Sequence, residues 1–477
     1  VTNLSIPGFY DISNGTGQPT VSANESEKRT YGYFADINLG YKDYLFLNAS
    51  GRYDFTSTLP DGDNSYFYPA IGVSYVLTDA MPDMKNDILS YMKATVSNST
   101  VYNDLGPYLT NETYGQSSGF PFGELNGFFQ TGTAVDSGIK KEKINTTEVG
   151  LNMNFLNGRF KLDATYYKTS STDLITFTTP SNASGATSYL TNIGKVEGKG
   201  YELLLEGTVL KMNDLSWDVS VNYSSSEQKV ISISEGVDEI TIASYGGEFG
   251  VFAIVGEDFP QIKAASYTRD PQGRIVIDPA TGNPIKDDLK NFGKTTPDYI
   301  LGMNSTINYK NFSLSATMDY RTGHVYYEEG SDAMEFPGVS RHSASAGRQD
   351  FVIPNSVIEV SEGVYEPNTN IPVTGGRQDY WTNTYNEIKE NYVKDATALK
   401  LREISLNYSL PSSLTDTLPI ESMRIGLIGR NLFTWLPEEN AFSDPEFNNS
   451  TGNAIGVGGY LQSPPTKSIG FSVNVEF

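Results

Sequence analysis

The chain of 477 residues contains no cysteine and only two histidines, His324 and His342. Disulfide frameworks, thiolate zinc sites and cysteine nucleophiles are therefore excluded, and little is left for transition metals. No stretch approaches the roughly 18 continuous apolar residues that a membrane helix needs. Positive charge is also scarce: 34 Lys and Arg stand against 57 Asp and Glu, a formal net charge of −23. A general nucleic-acid binder needs a basic surface for the phosphates, so that class is excluded too. What the chain does have is 31 Tyr, 24 Phe and 45 Gly, residues of aromatic-rich strands and tight turns rather than of helical bundles. A mean hydropathy of −0.35 suits a soluble protein, and equally a transmembrane barrel, in which only alternate strand residues face lipid.

Period-2 alternation separates these cases. Leu45, Leu47, Ala49, Tyr53 and Phe55 share one face, while Asn48, Ser50, Arg52 and Asp54 take the other. Trp217, Val219, Val221 and Tyr223 oppose Asp218, Ser220 and Asn222, and Ile469, Phe471, Val473, Val475 and Phe477 oppose Gly470, Ser472, Asn474 and Glu476. Such runs predict about thirteen strands, near 29–41, 43–57, 66–78, 88–102, 143–156, 159–177, 187–210, 215–232, 297–310, 312–327, 396–410, 421–435 and 468–477. Tight turns at Tyr41-Lys42-Asp43, Asn157-Gly158, Met212-Asn213-Asp214 and Tyr309-Lys310-Asn311 are interleaved with long loops, the largest at 103–142, 233–296, 328–395 and 436–467. A soluble sandwich has no reason to sort its loops by side, whereas an outer-membrane barrel does. Tyr41, Tyr44, Tyr75, Tyr166, Tyr309, Tyr320 and Tyr408 fall near strand ends, as interfacial girdles require.

The fold class expected is thus all-β, a transmembrane antiparallel barrel lying in membrane lipid, with short periplasmic turns and long extracellular loops. Residues 1–28 read as an extracellular segment and 29–477 as the C-terminal part of the barrel. An odd number of antiparallel strands cannot close on itself without a parallel seam, so further strands are expected to precede Val1 or to come from another chain.

Several segments resemble the SusC/RagA group of TonB-dependent transporters. The most specific runs from Asn192 through Ile193-Gly194-Lys195-Val196-Glu197-Gly198-Lys199-Gly200-Tyr201 to Glu202. In the same order follow Arg269-Asp270-Pro271-Gln272-Gly273 with Asp278-Pro279, then Leu399-Lys400-Leu401-Arg402 to Pro411, then Gly429-Arg430-Asn431-Leu432-Phe433-Thr434-Trp435 with Asp444-Pro445-Glu446. The resemblance implies a 22-stranded barrel filled by an N-terminal plug, energised through TonB and covered by a SusD-like surface lipoprotein. Plug and coupling segment have no counterpart in these residues. Terminal Phe477 resembles the signal read by the barrel-assembly machinery.

No catalytic constellation is legible. Adjacent acids such as Glu328-Glu329, Glu438-Glu439 and Asp287-Asp288 read as solvated loop residues, and neither histidine accompanies a nucleophile motif. Gly-rich stretches such as Tyr245-Gly246-Gly247 lack the strand-to-helix setting of a phosphate loop. No enzyme activity and no resident cofactor are expected. Binding candidates are the loop aromatics Phe249, Phe252, Tyr326, Tyr327, Tyr380, Trp381, Tyr385 and Phe442, of which Phe249, Tyr326, Tyr380, Trp381 and Phe442 are the leading ones. Their rings would stack on sugars or hold extended peptides, or else pack the loops and meet the lipoprotein. Asp270, Asp278, Asp444 and Glu446 offer oxygen ligands for calcium in the extracellular loops, without a regular ligand spacing. The function expected is TonB-dependent import of an oligosaccharide or oligopeptide. The rivals are a non-transporting structural or secretion-associated barrel and a passive porin.

Overall fold

A computed structural model of the chain describes residues 4–16, 25–117, 120, 122–130, 132–178, 180, 182–376, 378–415, 419–440, 442–450, 452–461, 463 and 465–477. Of the expected extracellular segment, residues 1–3 and 17–24 therefore lie outside the described residues.

Thirteen strands follow one another in a single antiparallel wall: β1 (Thr30–Tyr41), β2 (Leu45–Thr56), β3 (Ser65–Val76), β4 (Leu89–Asn103), β5 (Glu142–Phe155), β6 (Phe160–Thr178), β7 (Ser188–Lys211), β8 (Leu215–Ser232), β9 (Tyr299–Tyr309), β10 (Phe312–Thr322), β11 (Ala398–Ser409), β12 (Ser422–Trp435) and β13 (Ser468–Glu476). Each pairs with the next, and a short strand, Thr133–Val135, adds a parallel pairing to Ser188–Leu190 of β7. The wall is not closed. Among the described residues β1 pairs only with β2 and β13 only with β12, and all twelve residues of β1 are exposed.

The alternation read from the sequence sorts the side chains as expected. Outward rows such as Leu203 and Leu205, Leu301 and Met303, and Phe471 and Val473 stay exposed. The opposite face carries polar ladders, for example Asn48 donating to Asp36 and Asn38. A row of apolar side chains with nothing packed on it is the lipid-facing surface of a membrane barrel. Leu205, opposite Val221 and Leu162 and 46% exposed, lies between the aromatic bands. Leu205→Arg is expected to cost about 2–4 kcal/mol, read as a lower urea midpoint for refolding into vesicles.

Those bands are visible at both ends. Near the tight turns Tyr41, Tyr44 and Tyr75 meet edge to face at 5.8 Å, and Phe312 packs on Tyr408 at 4.7 Å. Near the long loops Tyr223, Tyr299 and Tyr320 form a chain at 5.6 and 6.0 Å, with Phe433 against Trp435 at 5.8 Å. In the three-residue turn between β1 and β2 both Lys42 and Asp43 adopt positive φ, 49° and 59°, the left-handed conformation whose twist matches that of the flanking strands.

One expected strand is shorter than its alternation suggested. The run 312–327 ends at Thr322, because Gly323 turns the chain at φ 79°. Val325–Glu328 leaves the wall and pairs with Val393–Asp395 and Val457–Gly458.

The packed core lies in the long connections, not between strands. Residues of 233–298 form a four-stranded sheet, Glu239–Tyr245, Phe249–Ile254, Gln261–Tyr267 and Lys286–Lys294. Phe249, Val251, Ile262 and Ala264 from this sheet bury against Tyr327, Tyr392 and Val457 of the next two loops. Three loops thus share one hydrophobic interior above the wall, which holds them as a body rather than as separate chains.

Candidate functional site

Two of the sequence motifs face each other across β11 and β12. The register of β11 skips Arg402 on both sides: Leu401 pairs with Met318 and Phe433, while Glu403 pairs with Thr317 and Arg430. Asn431, at φ 52°, and Leu432 form the opposing irregularity. A bulge re-aims the side chains beside it. Here it puts Lys400, Arg402 and Glu403 on the polar face, beside Asp319 and Arg321 of β10.

Loop 436–467 is clamped there. Lys400, only 4% exposed, reaches both carboxylate oxygens of Asp444 at 2.5 and 2.6 Å and Oε2 of Glu446 at 2.5 Å. Arg402 bonds Glu446 at 2.7 Å and Asp319 at 2.9 Å, and Arg321 reaches Glu446 at 2.6 Å. Three cations therefore face three carboxylates drawn from two strands and one loop. Such a buried network fixes geometry more than it adds net stability, but removing one member strands the others. A second anchor lies close by. Fully buried Glu328 accepts from the backbone N–H of Phe442 and Ser443 at 3.0 and 2.7 Å, from the Tyr326 hydroxyl at 3.1 Å and from Ser331.

Burial alone would raise the Glu446 carboxyl, but the donors Arg402 and Lys400 and the charge of Arg321 outweigh it and hold the group at about 2. Its pKa is depressed from 4.5, so its contribution is complete above about pH 4.5 and lost as pH falls toward 2. That contribution is ~3 kcal/mol. Acidification of the detergent-solubilised protein is expected to release loop 436–467 between pH 4.5 and 2, visible in the fluorescence of Trp435 at its base. A Glu446→Gln variant should lose that transition.

The residues expected to bind metal have other duties. Asp270 accepts from the backbone N–H groups of Gln272 and Arg274, at 3.0 and 2.7 Å, and from the Arg274 guanidinium at 2.7 Å. Against the cost of burial, those donors hold its carboxyl below the usual aspartate range. Asp278 caps its own turn through the Ala280 N–H at 2.8 Å and the Thr281 hydroxyl at 3.1 Å. Asp444 meets an ammonium, Lys400. Glu446 shares that ammonium with Asp444, but Asp270 and Asp278 are not brought to them, and among the described residues no group of three or more His, Asp or Glu is placed to hold a metal ion.

Four of the five leading aromatics sit in the loop interior. Phe249 stacks on Tyr327 at 3.6 Å, and Tyr326 lies in the Glu328 anchor. Tyr380 and Trp381 pack with Phe351 and Ile277 in a neighbouring cluster. Phe442 alone stays exposed, at 42%.

Two polar clefts at the long-loop ends of the wall lie apart from all of these expected residues. One, of about 860 Å3, is lined by Lys229, Asp258, Lys294, Asp298, His324 and Asp395 among others. Burial there pushes His324 down to about 4, so it is neutral at physiological pH. The other, of about 600 Å3, holds Tyr66, Tyr68 and Tyr102 with Asp54, Asp104 and Glu142. The available signal was faint: Tyr66 and Tyr68 are large aromatics on the strand face that alternation assigns to water.

A family described as TonB dependent receptor-like, beta-barrel, matches residues 3–365. Among curated proteins, TonB-dependent receptor P26 of Formosa agariphila is 26% identical over 98% of this chain and 48% of its own length. TonB-dependent receptor SusC of Bacteroides thetaiotaomicron is 23% identical over 62% of this chain and 31% of its own. Among solved structures, the RagAB peptide transporter superposes with a TM-score of 0.78 at 19% identity, covering 99% of this chain and 50% of that one. The chain thus spans about half the length of the curated relatives that match most of it. With its alternating wall, sorted loops and unclosed edges, this chain belongs to the β-barrel family of TonB-dependent receptors of the outer membrane.

Proposed function

We propose that the chain forms the C-terminal part of the wall of a TonB-dependent importer for an oligosaccharide or oligopeptide, with a SusD-like surface lipoprotein over its mouth. The observation that carries this reading is the single open-edged wall with a polar inner face and a packed loop body confined to one mouth. Such a wall needs partner strands beside β1 and β13, and the matched relatives have about as much chain again in which to supply them and a plug. One structural neighbour is described as a peptide transporter, which supports the peptide half of the substrate reading. The loop body, anchored by Glu328 and Lys400, offers a rigid rim on which a lid protein could seat.

The test uses the full-length protein in its outer membrane. Labelled oligopeptide and oligosaccharide pools are offered to cells with and without TonB, and the protein is purified for co-eluting surface lipoproteins. Uptake of one pool that disappears without TonB is the expected result. Uptake that persists without TonB would mark a passive pore, and a stable complex with no uptake would mark a structural component.

A further inference from the structure

The smaller of the two clefts has a definite chemistry. Tyr66 and Tyr68 meet edge to face at 5.2 Å, Tyr68 and Tyr102 at 5.9 Å, and Tyr66 faces Tyr102 at 5.9 Å with 29° between planes. Three carboxylates, Asp54, Asp104 and Glu142, line the same space; Arg52 pairs with Asp54 at 2.7 Å and Lys28 with Asp104 at 2.6 Å, which leaves Glu142 as the carboxylate open to a further cation. The Tyr66 hydroxyl donates to Asp104 at 3.1 Å. Glu142 accepts from the Asn103 amide at 3.2 Å and has no cation partner among the described residues.

Two cations of the chain already use the cleft as a ligand would. The Lys28 ammonium lies 2.6 Å from Asp104, at the end of a side chain that is itself 38% exposed. The Lys141 ammonium stands 5.8 Å from the centre of the Tyr102 ring. Aromatic faces and carboxylates around one space attract an ammonium or guanidinium strongly once water is displaced. Sugar hydroxyls could use the same rings, but a neutral glycan has no charge to answer the carboxylate of Glu142, which is met only by the Asn103 amide at 3.2 Å among the side chains.

We propose that this cleft is a subsite for the cationic group of an imported oligopeptide, a Lys or Arg side chain or the amino terminus. Lys28 is its resident competitor and is displaced when the ligand binds. The subsite rests on the import reading above and narrows it to basic peptides.

The test uses the purified full-length protein and three probes: an octapeptide pool of mixed sequence with one lysine per peptide, the same pool acetylated at every amine, and a pool of neutral oligosaccharides. The unmodified pool is expected to bind about tenfold more tightly than the acetylated one. Asp104→Asn with Glu142→Gln should bring that ratio close to one. Lys28→Met should raise it severalfold, which a merely structural role for Asp104 would not do. Heat-modifiable migration reports assembly, and Glu142→Gln alone serves if the double variant fails to assemble. A wild-type ratio near one, a ratio untouched by the variants, or binding of oligosaccharides in place of peptides would overturn the subsite. TonB-dependent uptake in the same cells separates the two readings: where it persists, only the subsite falls, and where it is absent for every pool, the import reading falls with it.

Discussion

Lys400→Met is expected to release loop 436–467 from the wall and to cost about 3–5 kcal/mol, because Asp444 and Glu446 would be left buried without their ammonium. The cost falls on one loop rather than on the strands, whose ladders do not involve the side chain. Limited proteolysis of the assembled protein should therefore show new cleavage between residues 436 and 467 while the strands stay protected. Pairing Lys400→Met with Asp444→Leu should restore much of the protection, since an apolar pair of similar volume removes the stranded charge. If the double variant is no better protected than the single one, the clamp is not held by that pair.

Gly194→Val is expected to have the larger effect on assembly. Gly194 sits at φ 25°, left unpaired between Ile193 and Lys195 in the ladder to β6 and next to the register shift at Lys195 and Val196 against β8, and a Cβ there would lie 1.7 Å from the carbonyl oxygen of Ser232. Backbone cannot yield as a side-chain tip can, so the strand must give up its N–H bond to the Ile233 carbonyl, 2.9 Å, or its pairing. A loss on the order of 4 kcal/mol or more follows, read as a fall in heat-modifiable, outer-membrane-assembled protein. Gly200→Ala tests the same logic more mildly. Its Cβ would meet the Tyr167 ring and the Ser225 carbonyl, and the ring has more freedom to move. Wild-type assembly of the Gly194 variant would show that the irregularity in β7 is not required.

Much of the fold was legible because lipid on one side and water on the other impose a two-residue period that each strand carries within itself. Twelve of the thirteen predicted strands match within a few residues. The exception, 312–327, failed where Gly323 let the chain leave the wall while its alternation continued into Val325 and Tyr327. In the sequence the motifs at 399–402 and 429–435 are separate segments. That they oppose each other as one bulged pair, and so turn Arg402 toward Glu446, depends on pairing.

The candidate site was much less legible. Phe249, Tyr326, Tyr380 and Trp381 read as a binding kit, since aromatics among amides in a loop look alike whether buried or free. Their burial depends on partners far along the chain, as with Phe249 on Tyr327. Asp444 read as a metal ligand because a carboxylate advertises its charge but not the cation that answers it.

Residue order alone makes this chain a wall of alternating strands with short turns at one end and long loops at the other, because each of those properties is local. Folding in three dimensions adds that three loops share a core, that the Lys400 ammonium meets Asp444, and that tyrosines and carboxylates from separate parts of the chain enclose one cleft. Those outcomes are contacts between distant residues, and no local periodicity specifies them.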